Sequence, residues 1–446
     1  MNNNVLYELD SRYISDVLKL RFTPANAVRA EDVYLYDIEG KKYLDMSAGW
    51  AVMNLGYSNK TVAKAIKKQI ETLSFAGVIS CVSKESIELA QKICGLLPGD
   101  FEKKVWYGHS GSDANEFIAK MIPYATGRPA ILTFEGSYHG QTLGAYAMSG
   151  HPSLTAFAKD SSANPKLPYP DYYRDGAGMT PEEYDMKCLD YIENVFFRDK
   201  FDPYKVGAIV VEAVQSDGGD IPAGNTFLRG LEKICRKYGM YLIFDEVKIG
   251  MGRTGDMFGF EESGVIPDAV IIGKSIGAGL PLSIVAGRSE IMDCATGLHL
   301  FTTSGSPVVC AGASAMIDEL TGNNIPENAR NMGSCLKTEL NRLKERCSYI
   351  GDVRGRGLLI GTELIKDPKD RIPATELAAR VVYRAYELGM ICYYTGPASN
   401  VIEFTPPLIL NEKQAYDAVS ILEQAINDAV MGKVPDDKLK NFSGWA

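Results

Sequence analysis

The residue with the clearest chemical potential in the sequence is Lys274, which follows the apolar run 269–272 and Gly273. That run predicts a buried strand, and a charged lysine at the end of a buried strand is costly unless it is paired. Its pKa is therefore expected to fall, and a neutral amine is a nucleophile toward carbonyl groups. Because Gly277 and Gly279 make the segment a glycine-rich loop, a solvated or phosphate-binding lysine is the alternative.

Two other stretches could recognise parts of a ligand with which such a lysine reacts. Residues 110–115 are Ser-Gly-Ser-Asp-Ala-Asn, between a predicted strand and a predicted helix. Backbone N–H groups of small residues such as Gly111 and Ser112 at a helix N-terminus form an anion site suited to phosphate, although a plain capped turn is the alternative. Tyr138 and His139 place flat rings at the next strand end, where they could stack on a planar heteroaromatic ligand or simply pack within a loop.

A carboxylate completes this set of candidates. Asp245 ends the apolar run 241–244, and a buried aspartate needs a cationic partner. A protonated pyridine nitrogen is one such partner, and an arginine such as Arg253 is the alternative. Pyridoxal phosphate requires a phosphate cradle, a stacking ring, a carboxylate for its ring N–H and a lysine for its aldehyde. The joint occurrence of all four favours Lys274 as a Schiff-base lysine.

The elements that must position these residues alternate between strand and helix. Apolar runs at 130–134, 206–212 and 241–244 predict strands, and a helix is predicted at 227–238 between the last two. Such alternation predicts an α/β fold with a mostly parallel sheet that is covered on both faces. Ligands of such sheets bind beyond the carboxyl ends of the strands, and the candidate residues, Glu212 among them, all lie at such ends.

Composition excludes several classes of protein. The chain has 446 residues and a formal net charge of −9, and it lacks any Lys/Arg-rich run, which argues against nucleic-acid binding. Its nine cysteines are scattered without a Cys-x-x-Cys motif, and its four histidines lack metal-ligand spacing, so neither a disulfide framework nor a metal site is expected. Without a transmembrane-length apolar run or a signal-peptide pattern, a cytoplasmic protein that does not bind membranes is expected.

Over essentially its whole length the sequence resembles the class III (ω-type) aminotransferase family of fold-type I pyridoxal-phosphate enzymes. The motifs that carry the resemblance are Ser110-Gly-Ser-Asp-Ala-Asn-Glu116, Tyr138-His-Gly140, Phe244-Asp-Glu-Val247, Gly252-Arg-Thr-Gly255, Gly273-Lys274 and Thr302-Thr-Ser-Gly-Ser-Pro307. The resemblance implies a large cofactor-binding domain at 59–315 with a mostly parallel seven-stranded sheet. A smaller α+β domain at 316–446, which the N-terminal segment 1–58 joins, agrees with the change of pattern after about residue 315.

The same resemblance implies roles around the cofactor ring. Lys274 would form the Schiff base with pyridoxal 5′-phosphate, and Asp245 would pair with the pyridine nitrogen. Val247 would pack on one face of the ring, and Tyr138 would stack on the other.

The resemblance also implies how the phosphate and the substrate are held. Gly111 and Ser112 would hold the phosphate, and Thr302 would reach the phosphate of the neighbouring subunit, which implies a homodimer. Trp50 lies where the family lines the pocket for its small amino substrates. The shape of that pocket depends further on loops such as 150–175.

Within this family the chain looks closest to the α-amino-ε-caprolactam racemase group and related amino-acid racemases. The supporting stretches are Ser149-Gly-His-Pro-Ser153, Gln215-Ser-Asp-Gly-Gly219, Asp245-Glu-Val-Lys248, Tyr383-Arg-Ala-Tyr-Glu-Leu-Gly389, Val401-Ile-Glu-Phe-Thr-Pro-Pro407 and Phe442-Ser-Gly-Trp445. Glu403 stands where many members that bind an α-carboxylate have Arg, so it suits an amide, a lactam or a distal amine, unless it pairs with a nearby arginine. Lys248 stands where a Gln near the phenolic oxygen of the cofactor is common, and it would favour the phenolate or point outward.

Racemisation needs acid–base groups on both faces of the planar carbanion that pyridoxal phosphate stabilises. Lys274 would serve one face, and the resemblance assigns the other to Asp217, directly or through water, although an aspartate before two glycines can also be a turn residue. Tyr138 could hydrogen-bond as well as stack. The sequence therefore predicts a racemase or epimerase acting at Cα of an amino-acid amide, a lactam or an amino acid. The alternative is an aminotransferase using an ω-amine or an amino acid, which needs only one base.

Overall fold

A seven-stranded sheet organises the computed structural model, which describes residues 2–155, 164–442 and 444. From edge to edge its strands are Lys103–Gly108, Ser283–Arg288, Ala269–Ile272, Tyr241–Asp245, Val206–Val211, Ala130–Phe134 and Lys166–Leu167. Neighbouring strands run parallel from Ala269–Ile272 to Lys166–Leu167. The predicted α/β fold with a mostly parallel sheet is confirmed.

Helices cover both faces of this sheet because its central strands are apolar throughout. Every residue of the central strand Val206–Val211 is buried. Successive side chains of a strand point to opposite faces. Accordingly, Ile209 belongs to the apolar cluster that includes side chains of helix Asn225–Tyr238, whereas Val210 belongs to a second cluster with side chains of helix Gly111–Thr126.

The strand Ser283–Arg288, like the edge strand Lys166–Leu167, has no counterpart among the sequence predictions. It pairs antiparallel with both of its neighbours, Ala269–Ile272 and Lys103–Gly108. A parallel crossover needs a dozen or more residues, and only residues 273–282 connect Ala269–Ile272 to this strand. The chain therefore reverses through a short loop, and that loop carries Lys274.

Two smaller sheets complete the architecture. The C-terminal part of the chain builds an antiparallel sheet from Ile350–Arg356, Leu359–Leu364, Val401–Phe404 and Tyr393–Thr395. The other sheet joins the two ends of the chain through Arg29–Glu31, Tyr34–Tyr36, Lys42–Asp45 and Met390–Ile391. The N-terminal strands thus pair with a strand from far along the chain. The division into domains at 1–58, 59–315 and 316–446 stays a prediction.

Long helices pack around these sheets. Besides the two already named, the helices longer than ten residues in the described ranges are Asn3–Tyr13, Lys60–Thr72, Lys84–Leu96, Pro181–Tyr191, Pro307–Gly322, Ile325–Arg346, Thr375–Glu387 and Glu412–Val430. The last begins with a capping box of Asn411 and Gln414. The helix predicted after the Ser110 motif begins at Gly111, and Ser110 and Asp113 form a capping box at its N-terminus.

Three stretches of the sequence extend beyond the described residues. They are Met1, residues 156–163 of the 150–175 loop, and residues 443, 445 and 446 at the C-terminus, of which Ser443 and Trp445 belong to the C-terminal motif. Across the ranges that the structure covers, none of the helices combines the length and the apolar character needed to cross a membrane.

Candidate active site

A cavity of about 450 Å³ opens beyond the carboxyl ends of the parallel strands. Seven of the predicted site residues line it: Gly111, Ser112, Tyr138, Asp217, Asp245, Val247 and Lys274. Lys248 lines it as well, whereas Trp50, Thr302 and Glu403 do not. The structure therefore brings together the residues expected around a cofactor ring. Trp50 and Glu403, expected to bind the substrate, and Thr302, expected at the phosphate of a neighbouring subunit, lie outside this lining.

Lys274 projects into this cavity from a backbone position that only few residues adopt. Its φ is 45°, in the left-handed region that is uncommon outside glycine. Burial and the nearby Lys248 ammonium lower the pKa of Lys274, and the carboxylates of Asp217 and Asp245 oppose them only in part. Within the described ranges the Lys274 ammonium has no hydrogen bond or ion pair. Its amine is therefore available for reaction with a carbonyl group.

The N-terminus of helix Gly111–Thr126 forms one wall of the cavity. A Cβ on Gly111 would stand 2.8 Å from Cγ1 of Val247, and a Cβ on Gly140 would lie even closer to Oγ of Ser112. Only glycine allows the backbone to approach so closely at both positions. The first N–H groups of a helix lack intrahelical partners and attract anions, so this cradle suits a phosphate.

Asp245 is a buried residue of the cavity wall, with three hydrogen-bond donors around its carboxylate. Its Oδ2 accepts from Nδ2 of Asn115 at 2.9 Å and lies 2.7 Å from Nδ1 of His139, and its Oδ1 accepts from the backbone N–H of Val247 at 3.0 Å. Arg253, the alternative partner, is buried elsewhere and donates to backbone carbonyl groups of the C-terminal part of the chain. These donors fix the orientation of the Asp245 carboxylate.

Sequence reasoning missed the contribution of Asn115 and His139. Each belongs to a motif already singled out, since Asn115 follows Gly111 by one helical turn and His139 follows Tyr138 directly. The spacing between Gly111 and Asn115 places both on one helix face, which could have indicated Asn115. The pairing of His139 with a carboxylate 106 residues away is visible only in the folded chain.

Glu212 is a further polar group of the cavity that the sequence left without a role. Its carboxylate accepts the backbone N–H groups of Tyr138 and Ser216, both at 3.1 Å. Burial, together with the charges of Asp245 and Asp217, raises the pKa of Glu212 well above its usual range and so favours its neutral form.

The donor set fits pyridoxal phosphate. The glycine-lined cradle would hold the phosphate, Asp245 would face the ring nitrogen and Lys274 would meet the aldehyde. Tyr138 and Val247 line the space between them. Burial and the nearby Asp217 raise the pKa of Tyr138 to about 12, so its ring remains a neutral phenol at physiological pH.

Lys248 connects the cavity with the C-terminal sheet. Its Nζ lies 2.6 Å from Oε1 of Glu403 and 3.7 Å from Oδ1 of Asp217. Lys248 therefore points inward, and the partner of Glu403 is a lysine rather than an arginine. Burial alone would raise the pKa of Asp217, but Lys248 and Lys274 hold it below its usual range, so Asp217 is ionised.

Trp50 and Thr302 lie outside the cavity wall. The Trp50 ring stacks on Tyr393 with centroids 4.6 Å apart, and its own centroid lies 5.5 Å from Nζ of Lys248. Thr302 is exposed in the turn 302–305. Across the described residues, no group of three or more His, Cys, Asp or Glu side chains is placed to hold a metal ion.

Comparison with known proteins relates this chain to one family. The family described as aminotransferase class-III matches residues 18–426. An alanine/serine racemase of Pyrococcus horikoshii is 36% identical over 96% of this chain and 91% of its own, and a leucine/methionine racemase of Thermococcus litoralis is 36% identical over 100% of both chains. The omega transaminase of Pseudomonas jessenii, solved in complex with PMP, is similar with a TM-score of 0.88 and 28% identity over 96% of this chain and 98% of its own. The chain thus belongs to the class-III aminotransferase family, whose enzymes depend on pyridoxal 5′-phosphate.

Proposed function

We propose that the protein is a racemase or epimerase that inverts the configuration at Cα of an amino acid, an amino-acid amide or a lactam. The proposal rests on the presence of Asp217 and Lys274, two groups able to carry a proton, on the wall of one cavity. Inversion needs a proton to leave one face of Cα and another to arrive on the opposite face. The racemases of Pyrococcus horikoshii and Thermococcus litoralis, each 36% identical to this chain, support the same reaction class.

The side chains divide the proton transfers between them. The bound cofactor withdraws electrons from Cα and so makes its proton acidic. Lys274 would take up or return a proton at Nζ, and its lowered pKa favours the neutral amine that can act as a base. Asp217 would do the same at a carboxylate oxygen on the other face, and it starts ionised because Lys248 and Lys274 lower its pKa.

We assign the other residues of the cavity to holding the cofactor. Gly111 and Ser112 would bind the phosphate through the N–H groups of the helix N-terminus. Asp245 would bind the ring nitrogen, and the donors around its carboxylate keep it in place. Tyr138 and Val247 would contact the two faces of the ring, and the neutral Tyr138 phenol could also donate a hydrogen bond to the substrate.

Substrate selection would act through Lys248. Glu403 is in hydrogen-bond contact with Lys248, and Trp50 presents its ring to the same ammonium, so neither faces the cavity directly. Because Glu403 lies behind Lys248, a substrate carboxylate meets the Lys248 ammonium rather than a lone anion. Amino acids therefore stay in the proposed substrate class beside amides and lactams.

We also propose that two copies of the chain form the active unit. Large apolar side chains are exposed near Thr302: the exposed fractions are 46% for Phe75, 83% for Val82 and 57% for Leu300. Gly77 lies against the backbone of Thr302, which places segments 75–82 and 300–302 on one surface. Association would remove this surface from water, and Thr302 of each copy would reach the phosphate bound by the other.

A second candidate is an aminotransferase that moves an amino group between an amine and a keto acid. The similarity to the Pseudomonas jessenii transaminase, with a TM-score of 0.88, favours it. In this reaction Lys274 alone would move the proton, and Asp217 would not be required. The two candidates therefore differ in their need for Asp217 and for a keto acid.

The holoenzyme would be incubated in deuterated water with single enantiomers of alanine, leucine, an amino-acid amide and α-amino-ε-caprolactam, without a keto acid. The proposed function predicts loss of optical rotation with deuterium incorporation at Cα for at least one of them. Strict dependence on pyruvate or 2-oxoglutarate, with a keto product and no inversion, would identify the aminotransferase instead.

The second base is tested by Asp217→Asn. Inversion should fall by about 10²-fold to 10⁴-fold, the usual contribution of a general base, while the Lys274 face continues to exchange its Cα proton with solvent. Cofactor binding should remain intact. Asp318→Asn, at an exposed ion pair with Lys92, is the matched control and should behave as wild type. If Asp217→Asn inverts its substrate at the wild-type rate, the assignment of Asp217 is wrong.

A further inference from the structure

The cavity contains a second lysine, Lys248, to which the two-base scheme gives no task. Its side chain is only 5% exposed, and its ammonium lies between two carboxylates that are themselves buried, Glu403 and Asp217. Burial alone would lower the pKa of Lys248, but the surrounding carboxylates, Asp217 and Glu403 foremost, raise it above its usual value, so the lysine carries its charge. This buried cation lies beside the proposed base Asp217 and lowers the pKa of its carboxylate.

The two contacts of Lys248 differ in kind. The 2.6 Å contact with Glu403 is a charge-assisted hydrogen bond, whereas the 3.7 Å approach to Asp217 is an ion pair without one. Glu403 belongs to strand Val401–Phe404, which is buried throughout and paired on both edges. Glu403 is therefore the rigid anchor, and Asp217 keeps oxygen lone pairs free for proton transfer.

We propose that Lys248 is a positioning residue for the Asp217 base: anchored by Glu403, its ammonium keeps the Asp217 carboxylate ionised and directed to the cavity. This inference rests on the proposed function, since inversion is the reaction that uses Asp217. The anchoring role also gives a reason for the buried Glu403 in the C-terminal sheet, which does not itself line the cavity.

Other groups around this pair do not replace Lys248. The titratable groups that act on Asp217 or Lys248 are Lys274, His151, Tyr138, Glu212, Glu403 and Asp220. Burial and Glu403 raise the pKa of Asp220 well above its usual range, which favours its neutral form and leaves the charge of Lys248 uncancelled by it. Among the described residues, Lys248 is the one cation within 4 Å of the Asp217 carboxylate. Once Lys274 is engaged with the cofactor, Lys248 is the lysine that still lowers the pKa of Asp217.

The first test measures the protonation of Asp217 without any turnover. Holoenzyme labelled with ¹³C at the aspartate Cγ would be titrated, and the Asp217 resonance is the one that Asp217→Asn removes. In Lys248→Met this resonance should titrate about 1 to 3 pH units higher than in wild type, the usual effect of an opposite charge at this range. Lys248→Arg, which retains the charge, should restore most of the shift. Lys237→Met, at an exposed pair with Glu193, is the matched control and should leave the resonance unchanged.

The second test compares inversion with exchange on one face. In Lys248→Met, the acid limb of kcat/KM for inversion should move to higher pH by the same amount as the Asp217 resonance. Exchange of the Cα proton at the Lys274 face does not use Asp217, so its pH profile should not follow the Asp217 resonance; any displacement it shows would report the separate effect of the Lys248 charge on the pKa of Lys274. A structural defect would instead lower both rates across the whole pH range.

The outcomes separate the inference from the function on which it rests. If Lys248→Met fails to fold because Glu403 is left unpaired, the double variant Lys248→Met/Glu403→Gln removes both charges and carries the same expectation. An Asp217 resonance that titrates as in wild type would overturn the role of Lys248. A wild-type holoenzyme that inverts no substrate would overturn the function, while the resonance would still report whether Lys248 controls Asp217.

Discussion

Replacing Gly111 by alanine would place a methyl group where the helix N-terminus meets Val247. The added Cβ would stand 2.8 Å from Cγ1 and 3.0 Å from Cγ2 of Val247, well inside the optimal separation of about 3.5–4.0 Å between carbon atoms. Gly111 begins helix Gly111–Thr126 and does not have a positive φ, so alanine fits its backbone. The whole effect should therefore come from the displacement of Val247 and of the phosphate cradle.

The expected magnitude follows from the cost of overpacking. Inserting a methyl group into a packed site typically costs about 1–3 kcal/mol. If that cost falls on the cofactor-bound state, pyridoxal 5′-phosphate should bind about 5-fold to 150-fold more weakly. Titration of the apoenzyme, followed by the absorbance of the cofactor, gives the Kd, and calorimetry of the apoenzyme shows whether the fold itself has lost stability.

Two further variants decide whether the reasoning holds. Gly111→Ala/Val247→Ala removes the atoms with which the new methyl group collides, so it should bind the cofactor more tightly than Gly111→Ala alone. Gly95→Ala, in helix Lys84–Leu96 with no atom within 4 Å of the added Cβ, should leave the Kd unchanged and stabilise the fold by up to about 1 kcal/mol. Wild-type affinity in Gly111→Ala, or no recovery in the double variant, would refute the steric argument.

Two other predictions concern buried polar groups. His139→Leu should weaken cofactor binding about 10-fold to 150-fold in the same titration, because a hydrogen bond to a charged group contributes about 1.5–3 kcal/mol. His139→Gln, which can still donate to Asp245, should bind the cofactor more tightly than His139→Leu. Burial lowers the pKa of Lys166 from 10.5 to about 7, so the unfolded chain binds more protons than the folded one between these values, and stability should rise with pH. Urea denaturation at pH 7 and pH 9.5 should show wild type gaining stability relative to Lys166→Met, and an equal response of both proteins would contradict the lowered pKa.

Features that depend on local pattern could be predicted from the sequence. The strand at Val206–Val211 is a continuous apolar run, as expected of a strand buried on both faces, and the capping box of Asn411 and Gln414 is complete within four residues. The predicted site residues that line the cavity were identifiable because each follows a strand, and the carboxyl ends of parallel strands meet at one edge of the sheet. Local signals and sheet topology were sufficient to bring Asp245 and Lys274 into one cavity.

Features that depend on long-range contacts could not be predicted from the sequence. Strand Ser283–Arg288 is antiparallel because the loop before it is short. The residues of the strand itself indicate neither its direction nor its place between two neighbouring strands. The contact of His139 with Asp245 joins positions 106 residues apart, and that of Asn115 with Asp245 joins positions 130 apart. Such contacts depend on how the whole sheet is assembled, which no single motif determines.

Glu403 shows why the charge of one residue does not define a substrate. Taken alone, its carboxylate predicts that a substrate carboxylate is repelled. In the structure it lies behind Lys248, 2.6 Å from the ammonium, and does not line the cavity. The group that a substrate meets is Lys248, whose charge is shared between Glu403 and Asp217. Because a proton on Asp217 would free part of that charge, the attraction that the cavity exerts on a substrate carboxylate should depend on the protonation of the same residue that we propose as a base for inversion.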